Sequence, residues 1–141
     1  MKGNEFEAEN FSKFGKNFQE KLVHCMFYDR SFFDQMIDVF DIYFLELKYL
    51  RLFYARLASY RKTYEKHPSV DIMASVIKTE LEEESEVVRK QVKDYFARIA
   101  VTELVEDVEY VKATALDFCK KQKLKEAIMK SVGLLKTSSF D

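Results

Sequence analysis

The chain has 141 residues and a net charge of −1, from 23 lysines and arginines against 24 aspartates and glutamates, so its total charge gives no reason to wrap phosphates or lie on an anionic membrane. Hydrophobic residues make up 48% and aromatic ones 15%, which argues against disorder and predicts a dense core that needs neither disulfide nor metal. Three glycines and one proline are too few for a Walker-type phosphate loop, a dinucleotide fingerprint or the turns of an all-β fold, so an all-α fold is expected.

Residues 1–16 are polar and mixed and read as a mobile or loosely packed arm. Phe18, Leu22, Val23 and Met26 then share one face of a helix over 17–28. Asp29 and Arg30 interrupt it. Ser31, followed by Asp34 three residues on, has the spacing of a capping box and starts a second helix carrying Phe33, Met36, Ile37 and Phe40.

A third helix over 44–65 turns Leu47, Leu50, Phe53, Tyr54 and Leu57 inward and Lys48, Arg51, Arg56 and Arg61 outward. It stops at His67-Pro68-Ser69, where proline disfavours helix at His67 and Ser69 caps the next start. The fourth helix, 70–82, places Ile72, Met73, Val76, Ile77 and Leu81 inward. The acidic run LEEESE ends or begins a helix, and a fifth over 85–100 has Val88, Val92, Tyr95, Phe96 and Ile99 on its inner face.

From 103 to 136 there is no proline, and no glycine before Gly133. A helix of that length runs on the order of 50 Å, whereas a compact domain of about 100 residues has a radius of gyration near 13 Å. It must therefore project. Val108, Val111, Ala115 and Phe118 form a stripe on its first half, which the second half continues with Leu124, Ala127, Ile128, Val132 and Leu135. The second stripe has no partner left in this chain, so a neighbouring subunit or a following segment must cover it. The expected organisation is an arm at 1–16, a globule of about five short helices at 17–102, and a long helix at 103–141.

Few residues suggest chemistry. His24 and Cys25 are adjacent, so on a helix they diverge by about 100° and do not face each other. A dyad of Cys25 or Cys119 with His67 is conceivable, but two buried, inert thiols fit better. Glu82, Glu83, Glu84 and Glu86 read as a solvated face, since metal sites want carboxylates converging from separate elements and no Glu-x-x-His occurs. No catalytic, cofactor-binding or metal-binding residue is expected. Lys120, Lys121, Lys123 and Lys125 form a basic cluster, either a solvated face or a contact for phosphates or an acidic partner, without the interleaved tyrosines of a stacking platform. No apolar run approaches the roughly 20 residues of a membrane span, and MKGNEFEAEN lacks a signal-peptide core, so a cytoplasmic location is expected.

Three stretches, FGKNFQEKLVHCMFYDRSFFDQM, YFLELKYLRLFYARLASYRKTYEKHPSVDIMASVIK and VEDVEYVKATALDFCKKQKLKEAIMKSVGLL, follow one another in an order that resembles the N-terminal domain of DnaB-type replicative helicases, especially the phage versions. The likeness covers about residues 17 to 136. In that family a small helical globule is followed by a helical hairpin, and hairpins pair into a collar above a hexameric, ATP-driven motor ring. The resemblance implies that this chain is the globule plus the first hairpin helix, with the phosphate loop, ATP and Mg belonging to a motor domain beyond it. It also implies a non-catalytic role in oligomer assembly, docking of primase or a helicase loader, and at most secondary contact with single-stranded DNA. The arm at 1–16 has no clear counterpart in the bacterial pattern. A free-standing helical adaptor that dimerises through its last helix is the rival reading.

Overall fold

The structure is a computed structural model that describes residues 9–138, and the side chains of 9–134. The described residues contain helices and no strand. The first α-helix, α1 (Lys16–Tyr28), is buried nearly all round: Leu22, Val23, His24, Cys25, Met26 and Phe27 are six buried residues in succession. A helix apolar on every side belongs at the centre of a bundle, and α1 packs against α2 (Arg30–Met36), α3 (Lys48–Tyr64) and α6 (Val108–Ser138). In turn α3 packs against α4 (Val70–Glu80) and α5 (Glu86–Ile99).

Asp29, not Ser31, starts α2. Its Oδ1 accepts the Phe32 amide at 3.0 Å, while its own N–H closes α1 on the Cys25 carbonyl at 2.7 Å. One extended residue thus ends one helix and caps the next. The helix stops at Met36, leaving Ile37 exposed and Phe40 beyond its end.

The third helix begins later than its apolar period suggests. Asp41 caps a separate 3₁₀ turn, Ile42–Phe44, and the chain stays extended at Leu45 and Leu47 before α3. Leu45 is nevertheless fully buried, so the stretch contributes to the core without being helical. At the other end Glu65 takes a left-handed conformation, φ 60°, and closes α3 on the Arg61 carbonyl. Ser69 and Ser85 cap α4 and α5 through their hydroxyls, each accepting the amide three residues on at 3.2 Å. Met73 and Ile77 of α4 are buried, whereas Ile72 is exposed. The last helix starts at Val108, five residues later than expected, after a linker in which Val101 and Leu104 are 81% and 84% exposed.

The arm expected over 1–16 is not loose from Phe11 onward. Residues Phe11–Phe14 form a 3₁₀ turn capped by Asn10, and the Phe11 ring is completely buried, 4.8 Å from Phe118 and 5.8 Å from both Phe18 and Phe44. The spacing Phe11, Phe14, Phe18 is itself helical, but it is masked by the polar residues around it. The remainder of the expected arm, residues 1–8, lies outside the described residues.

Both histidines tie backbone together. His24 Nε2 donates to the Thr102 carbonyl at 2.9 Å, holding the α5–α6 linker to α1. His67 Nε2 donates to the Met26 carbonyl at 2.9 Å, while its Nδ1 accepts from Arg61 at 3.1 Å. Burial lowers both imidazoles below the usual histidine value, with the Arg61 charge adding to the effect at His67. The unfolded chain therefore binds these protons more readily than the folded one. Stability from this source is full above the unfolded value of about 6.5 and is lost as pH falls through the depressed folded values. The urea midpoint is expected to be lower at pH 5.5 than at pH 7.5, and His67→Gln should shrink that difference. An unchanged difference would refute the role given to His67.

Candidate functional site

The thiols are unsuited to nucleophilic work. Cys25 and Cys119 are both buried, burial pushes their pKa values up to about 11 and about 12, and among the described residues no hydrogen bond joins either to a histidine. The acidic run opens α5 on the surface. Glu84 pairs with Lys48 at 3.5 Å, and Glu82, Glu83 and Glu86 are exposed. Among the described residues no three His, Cys, Asp or Glu side chains are grouped so as to hold a metal ion.

The distinctive surface belongs to α6, which divides in two. Val111, Ala115, Phe118 and Cys119 seat its first half in the core, and from Lys120 to Leu134 no residue is buried. At about 100° per residue, the face that buries Ala115 and Cys119 continues as Gln122, Glu126 and Met129. Leu124, Ile128 and Val132 lie about 180°, 140° and 100° from the centre of that face. The apolar stripe of the second half is thus not a continuation of the first, contrary to the sequence expectation. It is a separate face, with Leu124 62% and Ile128 52% exposed, Val132 beside them and Ala127 at its edge. The helix reaches Leu135, whose side chain lies outside the described residues.

The four expected lysines are not equivalent. Lys121 pairs with Asp117 at 3.0 Å one turn earlier, and Lys125 with Glu9 at 3.5 Å. Lys120 and Lys123 are exposed and make no ion pair among the described residues. Glu9 also accepts from Lys13 at 3.2 Å, and the two lysines, Lys13 foremost, hold its carboxyl below the usual carboxylate range. Lys123 and Lys125 belong, with Lys130, to a feature that the sequence reading missed. Between α6 and residues 39–44 runs a groove of about 680 Å³, with Val39, Phe40, Ile42, Phe44 and Met129 as apolar lining and Asp41, Gln122 and Glu126 beside the lysines.

Compared with models of protein families, with curated proteins and with solved structures, the chain matches none. Among the described residues no helix is long and apolar enough to cross a membrane.

Proposed function

We propose that the chain is a non-catalytic assembly and protein-docking domain of a DnaB-type replicative DNA helicase. The observation that carries the reading is the division of α6 at Cys119, where a helix anchored in a helical globule goes on to carry an exposed apolar face unrelated to its core-facing one. A contiguous exposed apolar face of that kind marks a surface for another to cover. Together with the three resembling stretches, this supports a first hairpin helix that pairs with a second subunit within a hexameric collar. In this reading primase or a loader docks on the domain, and single-stranded DNA contacts it weakly or indirectly. ATP and Mg act in a motor domain, not on these residues.

Sedimentation of the chain tests the assembly face. Ile128→Glu with Val132→Glu is expected to abolish self-association while leaving the helical circular dichroism of the globule intact, because both positions are exposed in the single chain. An oligomer unchanged by the pair would refute the assignment. The same face serves the rival reading of a free-standing adaptor. Co-sedimentation with the helicase-binding region of a primase separates the two, since only the helicase domain is expected to retain it.

A further inference from the structure

We infer that the groove between α6 and residues 39–44 binds a short acidic segment with an aromatic or aliphatic anchor, contributed by a partner protein. Its lining combines two kinds of unmet demand. Phe40, Ile42 and Met129 present an apolar floor that is only partly covered, and Lys123 and Lys130 stand on the rim without an ion pair among the described residues. These two lysines are seven residues apart on one helix, roughly 10 Å along the axis, a span that a four-residue segment covers, and their long flexible side chains reach carboxylates leaving it on either face. A segment with carboxylates at that separation can pair with both while an intervening side chain enters the floor.

The molecule already shows a carboxylate at one side of this groove, since Glu9 sits 3.5 Å from Lys125. The chemistry favours a peptide over a nucleic acid. Asp41 and Glu126 line the groove as well, and with Lys125 paired to Glu9 the two remaining lysines face two carboxylates, which repel a strand carrying one charge per nucleotide. A peptide can place its charges only at the lysines and its apolar group between them. Groove size falls in the range of about 300–1,000 Å³ typical of ligand sites.

The inference extends the docking role proposed above but rests on the groove alone. Ile128 and Val132 do not line it, so the assembly variant and the groove variants fail independently. The test is fluorescence anisotropy of the 141-residue chain with a labelled tetrapeptide, Glu-Leu-Phe-Glu. Saturable binding is expected, about tenfold weaker for Lys123→Glu with Lys130→Glu, since two exposed ion pairs together are worth about one order of magnitude. Both lysines are exposed, so the variant keeps its fold, and Met129→Glu provides a second variant expected to weaken binding through the floor. No saturable binding overturns the proposal. So does equal binding of the Gln-Leu-Phe-Gln peptide, or equally strong competition by a short oligothymidylate. Binding seen only after removal of residues 1–8 assigns the groove to the chain's own terminus and overturns the partner.

Discussion

Phe11→Ala is expected to destabilise the domain by about 3–5 kcal/mol, close to the upper end for a single core truncation. The ring is completely buried where four pieces of chain meet. Phe14 of its own turn lies at 6.1 Å, Phe18 of α1 at 5.8 Å, Phe44 of the second 3₁₀ turn at 5.8 Å and Phe118 of α6 at 4.8 Å. Transfer of the side chain out of water is worth about 1.5–3 kcal/mol by itself. The rest arises because neighbouring rings on packed helices close only part of the void. Phe118 is among the last buried residues before α6 leaves the core, so hydrogen exchange in the first half of that helix should also accelerate. Urea denaturation reads the main effect. A loss below about 1 kcal/mol would return this segment to the loosely packed arm that its composition suggests.

The all-helical class was legible in the scarcity of glycine and proline, and so were the inward faces of the long helices. Phe53, Leu57, Val92, Tyr95, Phe96 and Ile99, spaced by the helical period, are all buried. The starts of elements were less legible because capping competes with periodicity. Leu45 and Leu47 continue the apolar pattern backwards from α3, yet Asp41 caps a 3₁₀ turn and the chain reaches Lys48 extended. A similar competition moved the cap of α2 from Ser31 to Asp29.

The candidate surfaces divide in the same way. Exposure of Leu124 and Ile128 followed from helix length, and the separate face they occupy could have been counted at about 100° per residue from Cys119. The groove could not, since it is made by Phe40 and Ile42 meeting Lys123 and Lys130 some eighty residues later, a pairing with no local period. His24 was misleading for a related reason. Its neighbour Cys25 suggested chemistry, while its actual partner is the Thr102 carbonyl.

Glu20→Ala is expected to cost about 2–3 kcal/mol, with the larger share coming from what it leaves behind rather than from the ion pair. The Glu20 carboxylate accepts the Tyr49 hydroxyl of α3 and both guanidinium nitrogens of Arg98 on α5, at 2.7 and 3.1 Å, and its backbone carbonyl accepts the Tyr95 hydroxyl at 2.6 Å. Three helices meet at one residue. Arg98 is more than half exposed and returns to water at little cost, whereas Tyr49 is buried and its hydroxyl would lose its acceptor. Tyr49→Phe added to Glu20→Ala should therefore recover most of the loss. Equal stability of the single and double variants would refute that partition.

Glu20→Gln keeps an acceptor for Tyr49 and isolates the charge. Burial alone would raise the carboxyl pKa, but the hydrogen bonds from Arg98 and Tyr49 outweigh it and hold the group below the usual carboxylate value. Its stabilisation is complete above the unfolded value of about 4.3 and is lost as pH falls through the depressed folded value. The wild-type advantage over Glu20→Gln should therefore be present at pH 6 and shrink as pH falls below the unfolded value and through the depressed folded one.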